Sequence, residues 1–573
     1  MMQTLCVAVW LTKSLVVCTG HSGPVVNTPS GPIQGVVVPA LGQNVLQFRN
    51  IPFAEPPVGE LRFEKPVPVG PWTDTLDGTK FGPSCIQDTN FLPEVRENLD
   101  NKETSEDCLQ LNVYVPEAVS TTVKKPVMVY IHGGGFASGY AALYDSSYFA
   151  LKDVIVVTLQ YRLGLFGFLS TGDSTLPGNY GLWDMIEALR WVNKNIASFG
   201  GDPHMVTIVG ESAGGFAVSF LSVSPTTKGL FQRVVAQSGT PVSKLFISEN
   251  PIRVAEKVGS YAGCITDTES VIDNEALIKC LKGKSAEDLL KAQSDPTTLY
   301  FGRFSISVNL WPVIDGELLL RKPIDSLQDP GSEELLYLQS LDLIAGTNDN
   351  EASLIPFIFS HFQEPMNFSL SDGIPTPLLC DVFAPAVAKD AFDDETIVSD
   401  MLCQRYKEDN MFDQAQSISD LYGDLFFHAP TVALLDFHSK GNTRSNTYQY
   451  LFTHEITFKF LVPSFPWSKG AGHGVECLYM FGPGDIGAID DSIRSTEGRA
   501  LTDTVVTYLT NFAKTGNPNG QGLVPWEKFT TRGRYYLDIN YKPVLRQDLY
   551  QKRITFLQQD IPNQLRQSSK TEL

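Results

Sequence analysis

Short apolar runs recur along this chain and alternate with stretches of helical period. Val127-Met128-Val129-Tyr130-Ile131 and Met205-Val206-Thr207-Ile208-Val209 read as buried strands, and Phe216-Ala217-Val218-Ser219-Phe220-Leu221 reads as the start of a helix. The βα alternation extends from about Pro126 to Ser222, which predicts parallel strands joined by helices. Leu343-Ile344-Ala345-Gly346 reads as a further short strand running into the polar stretch 347–351. Helix-rich stretches around Lys284 to Ala292 and Glu395 to Phe427 lie outside this alternation and are expected to wall a pocket. At the N-terminus the apolar Leu5–Leu11 and Leu15–Cys18 end in small residues, which predicts a cleaved secretory signal over 1–20, too short to cross a membrane.

The chemistry begins at Gly210-Glu211-Ser212-Ala213-Gly214-Gly215, between the strand ending at Val209 and the helix opening at Phe216. This is the G-x-S-x-G pattern of a nucleophile elbow, where small residues let strand and helix nearly touch and the turn lifts the serine hydroxyl clear of the backbone. A second signal, His132-Gly133-Gly134-Gly135-Phe136, directly follows the strand at Ile131. Acyl transfer to a serine builds negative charge on the carbonyl oxygen, and backbone N–H groups of such a loop, together with the amide after the nucleophile, here Ala213, can meet it. No Gly-Lys-Ser/Thr follows the glycines, so a phosphate cradle is disfavoured.

A serine hydroxyl needs a base, and the base needs an orienting carboxylate. Of eight histidines, His473 sits in the glycine-flanked Gly470-Ala471-Gly472-His473-Gly474, a loop from which a ring can project into a site. His132 belongs to the glycine loop, while His21, His204, His361, His428, His438 and His454 have surface or structural readings. For the carboxylate, Asp349 and Glu351 compete in Gly346-Thr347-Asn348-Asp349-Asn350-Glu351. The chain order Ser, acid, His is that of α/β-hydrolases. The fold expected is therefore α/β, a large, mostly parallel central sheet flanked by helices with lid-like helical insertions.

Further stretches resemble the type-B carboxylesterase/cholinesterase family, most closely the animal liver-type carboxylesterases. They are Arg49–Ala54 with Pro56–Phe63, Ser105–Tyr114, Tyr161–Gly164, Gly178–Asp184, Phe199–Pro203 and Trp311–Gly316, and the likeness covers about residues 25 to 550. The resemblance implies Ser212, Glu351 and His473 as the catalytic triad, leaves Asp349 as a solvated neighbour, and places the oxyanion donors at Gly134, Gly135 and Ala213. It also implies disulfides Cys85–Cys108 and Cys264–Cys280, each closing a loop worth roughly 3 kcal/mol. Cys380 with Cys403 forms a candidate third pair and leaves Cys477 unpaired. No tryptophan stands between Cys85 and Cys108, so the aromatic cage that holds choline in cholinesterases is not expected. Met185, where relatives usually have Gln, bears on local packing and not on the triad.

Because motifs from Ser105 to His473 must meet at one site, one large domain over 21–560 is expected, followed by a polar tail over 561–573. That tail ends Lys570-Thr571-Glu572-Leu573, similar to a lumenal retrieval signal, and with the signal-like start and the cysteine pairs it predicts the endoplasmic reticulum lumen, with secretion as the alternative. Asn367-Phe368-Ser369 is a glycosylation sequon. Lys plus Arg at 44 against Asp plus Glu at 64 gives net −20, which disfavours nucleic acid as a partner. No metal-ligand cluster or nucleotide motif is present in the sequence, so neither metal nor cofactor is expected. The reading is a broad-specificity serine carboxylesterase acting on small apolar esters, soluble, with no transmembrane span and compatible with a homo-oligomer. Rival readings are a cholinesterase-like or hormone-esterase-like specialist and a non-catalytic binding protein on the same fold. Phe136, Phe301, Phe304 and Trp311 are candidates for an apolar acyl pocket. An unperturbed histidine titrates near ~6.5, so a rate depending on neutral His473 is expected to rise through about pH 6 to 7.

Overall fold

The computed structural model describes residues 21–89, 99–117, 123–243, 246–265, 272–294, 310–354, 363–394, 396–456, 465–481 and 491–571. The expected signal over 1–20, Phe301, Phe304 and the last two residues lie outside them.

Among the described residues, apolar β-rich runs build fifteen strands in chain order: β1 His21–Asn27, β2 Pro32–Ala40, β3 Gln43–Pro52, β4 Leu76–Asp77, β5 Ser84–Cys85, β6 Thr104–Ser105, β7 Gln110–Pro116, β8 Lys125–Ile131, β9 Ile155–Leu159, β10 Gly201–Glu211, β11 Arg233–Gln237, β12 Asp342–Asn348, β13 Thr447–Phe452, β14 Tyr535–Ile539 and β15 Val544–Gln547. Thirteen of them form one sheet in the spatial order β1-β2-β3-β7-β9-β8-β10-β11-β12-β13-β14-β15, with β4 beside β2. From β9 to β14 every pairing is parallel, while β7 and β15 join antiparallel at either side. All seven residues of β8 and all five of β9 are buried, as strands covered on both faces must be.

Side chains alternate between the two faces of a strand, so the sheet feeds two separate cores. Val127, Val129 and Ile131 join Val206 and Ile208 on one side, with helices Tyr180–Asn195 and Ala213–Val223; Met128 and Tyr130 join Val209 and Val235 on the other, with helix Thr496–Thr515. The helix Ala213–Val223 is buried throughout, which explains its apolar composition all round. The helix Thr496–Thr515 starts at Ser495, whose Oγ accepts the Gly498 amide, and stops at Gly516 with φ 74°. Met185 is fully buried in the first of these cores.

After β8 the chain steps outward to β9 and returns to β10 on the other side of β8. Such a reversal opens a crevice at the C-terminal ends of the strands, where loops can meet a ligand. The loop after β8 holds His132–Gly135, the turn after β10 holds Ser212, and the segment after β12 holds Glu351.

Three disulfides join Cys85 to Cys108, Cys264 to Cys280 and Cys380 to Cys403, and Cys477 is a free, buried thiol. Residues 561–571, read from the sequence as a polar tail, are helical, and Ile561 is fully buried. The polar composition hid this because two apolar residues one turn apart, the buried Ile561 and the partly buried Leu565, suffice to dock it. Among the described residues no helix is long and apolar enough to cross a membrane, and no group of three acidic, His or Cys side chains is placed to hold a metal.

Candidate active site

Ser212 occupies the turn between β10 and the helix Ala213–Val223 with φ 56° and ψ −122°, a backbone conformation that side-chain-bearing residues seldom adopt. Its amide donates to Gln237 O at 2.9 Å and its carbonyl accepts Phe216 N at 2.8 Å, so the turn is braced on both sides. The flanking glycines are required sterically. A Cβ on Gly210 would lie 2.2 Å from Gly214 O, and one on Gly214 only 2.0 Å from Ile131 O.

The segment after β12 and the loop carrying His473 are tied together along their length. Asn350 N donates to Ala471 O at 3.0 Å, Asn348 Nδ2 to Gly472 O at 2.7 Å, and His473 N to Ser353 Oγ at 2.9 Å. Within this clamp His473 Nδ1 meets Glu351 Oε2 at 2.5 Å. The other Glu351 oxygen accepts the Ser238 hydroxyl at 2.5 Å and the Asn348 amide at 2.7 Å. Glu351 is 1 % exposed and His473 6 %, so this pair works away from water, where a charge-assisted hydrogen bond is strong. The ring of Phe427 lies with its centroid 5.0 Å from that of His473. It ends the helix-rich stretch that was expected to wall a pocket.

Asp349 is not the solvated neighbour expected. It is partly buried, its Oδ1 accepts the Ala471 amide at 2.6 Å, and burial raises its carboxyl to about 7. It therefore pins the His473 loop without touching the ring.

Two carboxylates that sequence reasoning passed over complete the surroundings. Glu211, the variable position of the elbow motif, places Oε1 3.3 Å from His473 Nε2. Glu476, three residues beyond His473, has Oε2 2.5 Å from Asn348 Nδ2. The strict spacing of both from motif residues was the available signal. The hydrogen bonds of His473 reach Glu351 and Ser353, and none joins it to Ser212 Oγ. Ser212 is gathered instead with Glu211 about Gly133: a Cβ there would stand 3.0 Å from Ser212 Cβ and 2.7 Å from Glu211 Oε2.

Burial alone would depress His473, but Glu211, Glu351 and Glu476 together outweigh it and lift the imidazole to about 9. Burial raises Glu211 against the pull of His473, and raises Glu476 with Glu211 and Glu351 adding to it. The imidazole thus holds its proton to higher pH than the range of about 6 to 7 expected for an unperturbed ring.

The glycine loop opens on unfilled space. Gly134 has φ 108° and Gly135 φ 63°, and among the described residues nothing lies within 4 Å of where a Cβ on Gly135 would stand. Among the described residues no acceptor takes the N–H of Gly134, Gly135 or Ala213. Phe136 is fully buried against Phe168 and Trp311, and Trp311 packs in turn on Phe246 and Phe216. Trp311 so joins the aromatic layer that Phe427 extends to His473.

Strand order, the elbow after β10 and the crevice above β8 and β10 define an α/β-hydrolase. The chain matches the carboxylesterase family over residues 22–557 and belongs to it. It is 34% identical to human (Homo sapiens) Carboxylesterase 3 over 561 residues, covering 95% of this chain and 92% of that one. Homo sapiens Cocaine esterase is also 34% identical, over 96% of this chain and 94% of its own. Mus musculus Neuroligin-3 is 32% identical over 98% of this chain and 72% of its own.

Replacing Glu211 by Gln removes a negative charge facing Nε2. A carboxylate beside an imidazole favours its charged form, so its loss must lower the His473 pKa. Titration of the His473 ring by NMR in Glu211→Gln should show its midpoint at lower pH than in the wild type, and an unchanged or higher midpoint would contradict the charge assignment.

Proposed function

We propose that this chain is a serine hydrolase of carboxylic esters with broad tolerance for small apolar substrates. Ser212 Oγ attacks the ester carbonyl, His473 takes the hydroxyl proton through Nε2 and returns it to the leaving alcohol, and water repeats the cycle on the acyl-enzyme. Glu351 fixes the tautomer by accepting the Nδ1 proton and steadies the imidazolium. The amides of Gly134, Gly135 and Ala213 receive the oxyanion. For this to run, the His473 ring or the Ser212 side chain turns so that Nε2 meets Oγ in place of Glu211, a rearrangement usual between resting and substrate-bound sites. The observation that carries the reading is the buried Glu351–His473 contact at 2.5 Å beside a strained serine elbow and three unclaimed amides. The surrounding aromatic layer supports apolar rather than charged substrates.

The rival, a non-catalytic binding protein on this fold, is separated by one experiment. A fluorophosphonate probe should label the wild type and not Ser212→Ala, and the variant should lose about 10⁴-fold or more in ester turnover while remaining folded. An unlabelled wild type removes the proposal.

The roles of the two acids separate kinetically. Glu351→Gln should lower turnover by about 10³ or more, since the tautomer is no longer held. Asp349→Asn keeps a side-chain oxygen for the Ala471 amide and should cost less than about tenfold. The opposite ranking would assign the acid to Asp349.

We also place the protein in the lumen of the secretory pathway. The three disulfides suit an oxidising compartment, and Asn367 is exposed, as a glycan acceptor must be. Protein from an animal cell line should gain gel mobility on treatment with a peptide N-glycosidase, and Asn367→Gln should abolish that shift; mobility unaffected by the enzyme would count against the placement.

A further inference from the structure

An oxyanion hole works only if its N–H groups are already aimed when charge develops, and a peptide N–H points opposite to the carbonyl of the same plane. The Gly134–Gly135 plane is held by its carbonyl: Gly134 O accepts Ser138 N at 2.9 Å, Ala137 N at 3.1 Å and Ser138 Oγ at 3.1 Å. The Ser212–Ala213 plane is held likewise by Ser212 O accepting Phe216 N at 2.8 Å. The remaining plane, Gly133–Gly134, has one tie among the described residues. Gly133 O lies 2.9 Å from His132 Nδ1.

From this geometry, and resting on the ester-hydrolase reading above, we infer that His132 is a positioning residue for catalysis: its Nδ1–H holds the Gly133 carbonyl and thereby aims the Gly134 amide into the oxyanion hole. A carbonyl oxygen only accepts, so the ring proton in this bond sits on Nδ1. His132 is 1 % exposed, and burial drives its pKa down to about 4, so at working pH the ring is neutral and carries one proton. Among the described residues no close hydrogen bond reaches Nε2, and the Gln160 side chain beside the ring opposes burial only in part. Two contacts keep the ring in place. Tyr161 stacks on it with centroids 4.5 Å apart and donates its hydroxyl to His132 O at 2.9 Å. Gly139 crosses its edge so closely that a Cβ there would fall 2.1 Å from Nδ1, which is why no side chain is carried at that position. Gln87 holds Gly139 in turn, with Oε1 accepting its amide and Nε2 donating to its carbonyl, both at 2.9 Å. The histidine at the head of the glycine loop is thus tied to the hole electronically through one bond and sterically through its neighbours.

The test replaces the ring by amides that offer a donor at one nitrogen position or the other. Asn places its NH₂ near where Nδ1 stands, Gln nearer the Nε2 position, and Ala offers none. His132→Ala and His132→Gln should lose about tenfold to a hundredfold in kcat, less than deletion of a whole oxyanion donor, with KM changed less than about threefold. Both should bind a trifluoromethyl ketone, whose adduct carries a full oxyanion, more weakly by the same factor as kcat falls. His132→Asn should recover most of both. Equal kcat and ketone affinity in the Ala and Asn variants, or a loss confined to KM, would overturn the inference while leaving the hydrolase reading intact. A wild type without esterase activity would remove both. Should the variants not fold, a crystal structure of the wild-type ketone adduct decides. The inference requires Gly133 O within about 3.2 Å of His132 Nδ1 while the oxyanion sits within the same distance of Gly134 N, and a turned Gly133–Gly134 peptide refutes it.

Discussion

The central constraint in this molecule is the contact of two backbones, where the helix start at Gly214 lies against the end of β8. A Cβ on Gly214 would sit 2.0 Å from the Ile131 carbonyl oxygen and 3.0 Å from that of His132. Because nothing intervenes, the nucleophile turn and the glycine loop are positioned by each other and not by separate supports. The strained φ of Ser212 follows from the same contact, since the chain must reverse from β10 into the helix without moving away from β8. Parallel pairing of β8 with β10 keeps both strand ends in register and makes the approach possible.

Around this contact the polar groups are arranged by burial. Three carboxylates surround one imidazole in a site that excludes most water. Burial disfavours their charged forms and is the main cause of the upward shifts of Glu211 and Glu476, with repulsion from neighbouring carboxylates adding to it. Glu351 accepts from Ser238, Asn348 and His473 together. The site is therefore a small proton-sharing cluster in which one member, Glu351, is fully occupied by donors and another, Glu211, faces the ring nitrogen on which catalysis would draw.

The fold was legible because its signals are local and steric. Runs such as Val127–Ile131 and Met205–Val209 permit little but buried strands, and the glycines around Ser212 have no other reason to cluster. Glu351 and His473 could be named, yet from spacing alone Asp349 remained an equal rival to Glu351. Their difference lies in direction: Asp349 turns to the Ala471 amide and Glu351 to the ring, and a loop's direction depends on contacts over a hundred residues away. Glu211 and Glu476 offered only their spacing from motif residues and Ser238 offered nothing, since each gains its meaning from a partner across the crevice. The helix at 561–571 escaped notice because its composition is polar and its docking rests on Ile561 and Leu565.

The aromatic wall depends on parts of the chain beyond the candidate triad. Phe427, whose ring faces His473, stands on the π-helical turn Asp424–His428, a rare geometry held at its first residue. Asp424 there receives the Tyr406 hydroxyl at 2.9 Å and pairs with Arg553 at 3.0 Å, and Arg553 also pairs with Asp420 at 2.5 Å. The wall beside His473 thus leans on a cation more than three hundred residues beyond Ser212. During synthesis the chain emerges with its N-terminal parts first, so the elbow is made long before this brace exists. Completion of the site is late relative to the elbow, and the sheet must wait with its helical cover incomplete until the helices around Arg553 arrive.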